Sequence, residues 1–288
     1  MLLTADPALS MLERNRTFRP SAAPLSTRVF RIRDRLFRRI PAPAHRVLTR
    51  PTGSGPWTLY FAFLPGGELA AAHRDTLARL RALDRRLLVV CAAPDPASVP
   101  DDLRAASDAL VWKALPGFDF SGYTAGLLAL AEFAPGSDAF VLNDSVFGPF
   151  GDVGAWLAEA RWALTGFTAT SSLENHIQSY AFVLRDVTPA RIASLRGILM
   201  PDHAFDELRR VVINQETQLA RTAIRTMSVG SFLYADTPAV EDPTLQLALP
   251  LLRAGFPFLK RSLLGGKLAH LHRQDEVAAG LRAAGYSG

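Results

Sequence analysis

From residue 57 onward, short continuously apolar runs alternate with longer stretches whose apolar residues recur every three or four positions, so the chain predicts buried strands exchanging with amphipathic helices. Trp57 to Leu64 is aromatic and β-prone, and Leu69 to Arg86 sets Leu69, Leu77, Leu80 and Leu83 on one helical face. Leu87 to Ala93 reads L-L-V-V-C-A-A, as a strand covered on both faces does. A proline-rich loop leads to a short helix near Asp101 to Ser107, where paired aspartates suit a helix N-terminus. Ala109 to Leu115 and Ala139 to Leu142 are the next strands, separated by a helix from Ser121 to Phe133 with Ser121 as its expected cap. Trp162 to Thr168 and Gln178 to Leu184 continue the strands, and Pro189 to Ile198, Ala204 to Ala223 and Pro243 to Arg253 are expected to be helical. The alternation predicts an α/β fold with a mostly parallel central sheet flanked by helices. Such sheets bind ligands at the carboxyl ends of their strands.

The first fifty residues follow a different pattern. They hold eleven arginines against three acids, a local excess of eight positive charges, while the whole 288-residue chain carries only +5. The remainder is therefore net −3, and the sequence pI near 9.8 belongs to the arm. The breaker cluster R-P-T-G-S-G-P at Arg50 to Pro56 closes this region. Three units are expected: a basic N-terminal arm at 1–55, the strand-helix domain at 56–262 and a C-terminal tail at 263–288. Within the arm, Val29, Ile32, Leu36 and Ile40 recur at helical spacing among arginines, with Phe30 and Phe37 nearby. Two readings fit: a helix lying on an anionic membrane surface, or a stripe packed on its own domain. The net-negative body argues against nucleic acid as a partner.

Composition narrows the class further. With 49% hydrophobic residues and 20% charged, the chain can bury a core without disulfides or structural metal. Cys91 has no partner, and the six histidines are scattered rather than spaced for zinc. The longest apolar runs fall short of a membrane span, and Met1 to Ser10 lacks the order of a signal peptide. The expected location is cytoplasmic, with peripheral contact at the inner face of the plasma membrane through the arm.

Four polar constellations fall at strand ends. In Leu115-Pro-Gly-Phe-Asp-Phe120, Gly117 permits a tight turn and Asp119 stands either as a donor-binding carboxylate or as a helix cap. Phe140-Val-Leu-Asn-Asp-Ser-Val-Phe-Gly-Pro149 sets Asn143, Asp144 and Ser145 at the lip of the sheet. Oxygen ligands of this kind suit Mg²⁺ or Mn²⁺ bridging to a diphosphate, and they equally suit an Asx turn that ends the strand. In Ser171-Ser-Leu-Glu-Asn-His-Ile-Gln-Ser-Tyr180, His176, Gln178 and Ser179 could bond a polyhydroxylated ligand, although a single histidine often has a structural role. In Val212-Ile-Asn-Gln-Glu-Thr-Gln-Leu219, a buried Leu219 would leave Glu216 pointing into a cleft or into solvent.

Taken in order, Gly117-Phe-Asp-Phe-Ser-Gly-Tyr-Thr-Ala-Gly-Leu127, Leu142-Asn-Asp-Ser-Val-Phe-Gly-Pro149, Ala163-Leu-Thr-Gly166, His176-Ile-Gln-Ser-Tyr180 and Glu216-Thr-Gln-Leu219 resemble the rhamnan synthesis F family over about residues 57 to 260. Departures are Phe118 for the usual Tyr, Ser121-Gly-Tyr123 for G-x-W and Ala163-Leu-Thr for W-G-L-T. The resemblance implies a GT-A-like glycosyltransferase that moves a sugar, rhamnose among the candidates, from a nucleotide-diphosphate donor to a growing cell-surface polysaccharide or lipid-linked glycan. It implies a divalent cation on Asp144, where the D-x-D motif of that fold is reduced to Asn143-Asp144-Ser145. Arg225 and Lys260 are the metal-free alternatives for meeting diphosphate charge. Glu216 is the expected general base and Asp119 a donor contact, while His176, Gln178 and Ser179 would line the sugar or acceptor pocket. The reduced motif also admits a non-catalytic subunit that binds nucleotide-sugar or carbohydrate.

Overall fold

A computed structural model describes residues 6–237, 240–265 and 268–286. The first five residues of the expected arm, and 266–267 and 287–288 of the expected tail, lie outside the described residues. The strands are β1 (Leu12–Thr17), β2 (Ile40–Pro41), β3 (His45–Thr49), β4 (Pro56–Phe63), β5 (Arg86–Ala92), β6 (Ala109–Lys113), β7 (Ser137–Asn143) and β8 (Val146–Phe147). They continue with β9 (Leu164–Thr170), β10 (His176–Ile177), β11 (Ala181–Val187), β12 (His203–Ala204), β13 (Val229–Ala235) and β14 (Leu259–Lys260). The α-helices are α1 (Leu25–Phe37), α2 (Ala71–Arg81), α3 (Asp101–Ala106), α4 (Phe118–Phe133), α5 (Val153–Ala158) and α6 (Pro189–Ser194). After them come α7 (Leu208–Val211), α8 (Thr217–Ala223), α9 (Pro243–Gln246), α10 (Ala248–Arg253) and α11 (Gln274–Ala283).

Among the described residues the main sheet has the order β1-β13-β9-β11-β7-β4-β5-β6-β3, with β10 on β9. Pairing is parallel for β13 with β9, β7 with β4, β4 with β5 and β5 with β6. Hence β4, β5, β6, β7, β9 and β13 run in one direction, and β1, β3, β10 and β11 run against them. The expected α/β class holds, as a mostly parallel sheet with reversed strands at both edges and one, β11, inside it.

Alternation along β4 sets the two layers. Trp57, Leu59 and Phe61 enter the core under α4, while Tyr60 and Ala62 enter the opposite core with Leu77 and Leu80 of α2. Helix α4 lies directly on β4, because a Cβ at Gly122 would stand 2.2 Å from the Phe61 ring and one at Gly126 would stand 2.6 Å from Leu59. The two glycines four residues apart are therefore a packing requirement of this helix.

Several boundaries differ from the sequence expectation. Helix α4 begins at Phe118, not Ser121, because Gly117 with φ 94° makes the turn, and the Ser121 hydroxyl merely donates to the Phe118 carbonyl. The helix expected over 69–86 is α2 alone; Arg86 already opens β5. Gln178 precedes β11 rather than starting it, and β9 runs on to Thr170. The stretch expected as a helix over 204–223 first pairs His203 and Ala204 with Pro41 and Ile40, and turns helical only at Leu208. The helix over 243–253 breaks at Leu247, where Pro250, which lacks an amide hydrogen, is accommodated in the first turn of a new helix.

The arm is woven into the sheet. β1 pairs with β13 at one edge and β3 with β6 at the other, with α1 between them in the chain. The stripe of α1 does not pack on its own domain, and Ile40, expected as part of it, lies beyond the helix in β2, opposite Ala204. Thr27, Arg31 and Asp34 are the buried residues of this helix, while Leu25, Val29, Ile32 and Leu36 are exposed. The inward face is held by polar contacts: Arg31 donates to the Ile213 carbonyl at 2.9 Å and to Thr217 Oγ1 at 2.8 Å, and pairs with Glu174. The tail carries α11, whose Val277 and Leu281 join Phe147, Leu249 and Leu259 in a smaller apolar cluster. Among the described residues no helix is long and apolar enough to cross a membrane.

Candidate active site

The carboxyl ends of β4, β6 and β7 open on one cleft of about 570 Å³, lined by Phe61, Phe63, Leu115, Pro116, Phe118, Asp119, Asn143, Asp144, Ser145, Asp206 and Leu208. Sequence logic places a ligand site at this edge of such a sheet. Gly117 builds its wall. At φ 94° a side chain would be strained, and a Cβ would also crowd Ser121 Oγ at 2.8 Å and Ala204 at 3.0 Å. The Gly117 amide donates to Asp206 Oδ1 at 2.8 Å, which fixes the turn. Lys113, buried at the end of β6, donates to the Pro116 carbonyl at 2.8 Å from below. Burial pushes its ammonium down to about 8, against the pull of Asp206 and Asp119.

Asp119 and Asn143 face one another: the Asn143 amide donates to Asp119 Oδ2 at 2.8 Å. The Asn143 side-chain oxygen in turn accepts from the Ser145 amide at 3.1 Å and the Ser145 hydroxyl at 2.6 Å. Asn143-Asp144-Ser145 is thus an Asx turn that ends β7, and it is also part of the cleft lining. Asp144 Oδ2 accepts from the Phe63 amide at 2.8 Å and lies 3.2 Å from His73 Nε2. His73 Nδ1 accepts from the Ala70 amide, which leaves Nε2 to carry the proton of a neutral ring and donate it to Asp144.

Glu216 reaches the same region from the other side. It ends a π-helical turn, Val212–Glu216, between α7 and α8, and its Oε2 accepts from the Ser179 amide at 2.8 Å and from the Ser179 hydroxyl. Burial raises the Asp119 carboxyl to about 6, and the Glu216 charge adds to this against the Asn143 amide. Two carboxylates therefore influence each other across the site, one of them protonated below about pH 6. Positive charge comes from a short strand. β14 pairs with β8, with Lys260 opposite Val146, and the Arg261 amide donates to the Ser145 carbonyl at 2.8 Å. Arg261 Nη1 then donates to the Asp144 carbonyl at 3.0 Å and stands 3.1 Å from His73 Nε2. Lys260 lies 4.5 Å over the Tyr180 ring, and its charge is felt by Asp119.

Of the residues expected from sequence, Asp119, Asn143, Asp144 and Ser145 line the cleft, Gly117 makes the turn between the lining residues Pro116 and Phe118, and the charges of Glu216, held by Ser179, and of Lys260 bear on Asp119. His176 and Gln178 are buried away from the cleft lining. His176 Nδ1 faces the Glu174 carbonyl at 2.9 Å, and Gln178 Oε1 accepts from Thr168 at 2.6 Å. Alternation is the reason: in H-I-Q-S-Y only Ser179 turns toward Glu216. Arg225 precedes β13 and so lies at the amino ends of the parallel strands, where its charge bears on Arg35. His73, Lys113, Asp206 and Arg261 were not picked out by sequence. The signal that could have found Arg261 is the apolar-then-basic step of Phe258-Leu-Lys-Arg261, an edge strand ending in cations.

The donor set does not fit a cation cage built by the protein. Asp144 Oδ2 already engages the Phe63 amide and His73, Arg261 donates to the Asp144 backbone carbonyl, and among the described residues no three His, Cys, Asp or Glu side chains converge. Cys91 is buried, which pushes its thiol up to about 12 and leaves it inert as a nucleophile.

No protein-family model matches the chain, and no curated protein matches it. Among solved structures, S. aureus TarS is 11% identical over 81% of this chain and 44% of its own, with a TM-score of 0.36. The mannosyltransferase PcManGT from Pyrobaculum calidifontis, in complex with GDP-Man and Mn²⁺, is 14% identical over 91% and 84%, with a TM-score of 0.40. TarS 1-349 in complex with UDP is 11% identical over 75% and 68%, with a TM-score of 0.35. The chain spans less than half of the first TarS chain.

Proposed function

We propose that the chain is a glycosyltransferase of GT-A-like architecture, related by its motifs to the rhamnan synthesis F family, which moves a sugar from a nucleotide diphosphate to a cell-surface polysaccharide or lipid-linked glycan. Rhamnose is the sugar that the motif resemblance favours. One observation carries the reading: Asp119, Asn143, Asp144 and Ser145, from two distant segments, line a single cleft at the carboxyl ends of the strands, with Glu216 coupled to Asp119.

The chemistry needs an acceptor oxygen stripped of its proton and a diphosphate able to leave. In this reading the acceptor hydroxyl attacks the anomeric carbon, the bond from that carbon to the diphosphate breaks, and Glu216 takes the hydroxyl proton, oriented by Ser179. Charge on the departing diphosphate develops toward Lys260 and Arg261, which act as fixed cations. Phe63 and Phe118, 43% and 37% exposed on the cleft wall, offer rings for a base or a sugar face to rest on. Asp119 would contact the donor.

The test follows release of nucleoside diphosphate from a panel of nucleotide sugars, with and without glycan acceptor, in Mn²⁺ and in EDTA. Glu216→Gln and Asp144→Asn are each expected to lower turnover by about a hundredfold or more with the melting temperature nearly unchanged. Unchanged turnover in both variants removes the assignment. Nucleotide-sugar binding without release when acceptor is added would instead favour the non-catalytic binding subunit, which the prior engagement of Asp144 by Phe63 and His73 also suits. A requirement for Mn²⁺ would restore the cation expected at Asp144.

A further inference from the structure

Helix α1 is docked with its amphipathicity reversed. Leu25, Val29, Ile32 and Leu36 are 72, 58, 63 and 66% exposed, and at 3.6 residues per turn they fall within roughly 60° of arc. Opposite them Arg31 and Asp34 are buried. Rolling the helix to cover its leucines would strip Arg31 from Glu174, Ile213 and Thr217, and Asp34 from Asn214. The exposed stripe is therefore held outward by the polar face beneath it.

Its borders are cationic. Arg28 and Arg35 flank one side and Arg33 the other, Arg38 and Arg39 follow the helix, and the single acid of the helix, Asp34, faces inward. Arg35 is held below the ordinary arginine range by desolvation and by the crowding charges of Arg31, Arg39 and Arg225. An apolar stripe about 17 Å long between rows of arginine matches the boundary of an anionic bilayer, with side chains among the acyl chains and guanidinium groups at the phosphates. A second copy of the chain is a poorer occupant, because a symmetric contact would bring these arginines against their own kind.

We propose that α1 is an interfacial anchor that seats the protein on an anionic phospholipid surface. The proposal is independent of sugar transfer. The docked face of α1 adjoins elements of the cleft: Phe30 packs under Arg209, the neighbour of the cleft residue Leu208, and Arg31 grips the turn that ends in Glu216.

The experiment is co-sedimentation of the full chain with vesicles of phosphatidylcholine alone or with about 30 mol% phosphatidylglycerol, over a range of salt. Binding to the anionic vesicles only, weakening as salt rises, is expected. Ile32→Glu/Leu36→Glu should lower it at least tenfold with an unchanged melting temperature, since both side chains face solvent. Arg28→Gln/Arg35→Gln, which spares the apolar stripe, should lower it and flatten the salt dependence. Equal binding to both vesicle types, no binding to either, or full binding by both variants overturns the anchor. So does sedimentation velocity showing a dimer that Leu36→Glu dissociates while vesicle binding is absent.

Discussion

Two polar clusters, one buried and one half-buried, lie on either side of the π-helical turn Val212–Glu216, and they are neutralised differently. Under α1, Glu174 is flanked by Arg31 and Arg221, and Asp34 by Arg210 and Asn214, so each carboxylate meets a cation. Across the turn, Asp119 meets the Asn143 amide and Glu216 the Ser179 amide and hydroxyl, while the charges of Glu216 and Lys260 bear on Asp119 from a distance. The first arrangement holds an element in place. The second leaves charge unresolved, as a site that must bind or move a proton requires.

That contrast is broken or sharpened first by removing one charge from each cluster. Glu174→Gln leaves the Arg31 guanidinium buried without its counter-ion and is expected to cost about 3–5 kcal/mol, read from denaturant unfolding. A cost near zero would mean that the α1 cluster is not what holds the helix.

The corresponding change in the cleft should have the opposite sign. Asp119 is raised from 3.8 to about 6, so the folded state favours its protonated form. The associated stability is fully present below about pH 4 and is lost as pH rises through 6. Asp119→Asn carries no such charge. Its stability relative to the parent should therefore grow between pH 4 and pH 8, by on the order of 2 kcal/mol. Melting curves at several pH values check this, and parallel curves for parent and variant would deny that burial, with the Glu216 charge behind it, raises the Asp119 carboxyl.

The legible and illegible parts of the molecule divide along the same physical line. The strands β4 to β7 could be read because each is covered on both faces and so is predominantly apolar, with buried polar exceptions such as Thr58 in β4 and Ser137 in β7. The strand-end residues Asp119, Asn143 and Asp144 could be read because a polar group just after such a run must lie at the sheet edge. Arg261 and His73 could not: they reach Asp144 only through the pairing of β14 with β8 and the packing of α2, neither of which leaves a local pattern. For α1 the periodicity revealed a stripe but not the face that docks. Buried Arg31 and Asp34 outweigh four apolar residues when Glu174, Ile213 and Thr217 hold the first and Asn214 and Arg210 the second, and those partners lie more than a hundred residues away.

The smallest expected effect tests whether the cleft's cations belong to the ligand. Among the described residues Arg261 forms no ion pair with a carboxylate; it donates to the Asp144 carbonyl and stands beside His73, so its charge is left for an incoming anion. A charge-assisted contact to phosphate, lost in Arg261→Met, should weaken nucleoside-diphosphate binding about tenfold in calorimetry, equivalent to roughly 1.4 kcal/mol. Because the chain itself supplies the positive charge, that affinity should persist in EDTA, and the difference between parent and variant should shrink as salt screens it. Equal affinities for parent and variant would move the diphosphate away from β14 and leave Lys260 and Arg261 as packing for the Asp144 turn. The cleft would then resemble the α1 cluster after all, with its charges holding structure in place.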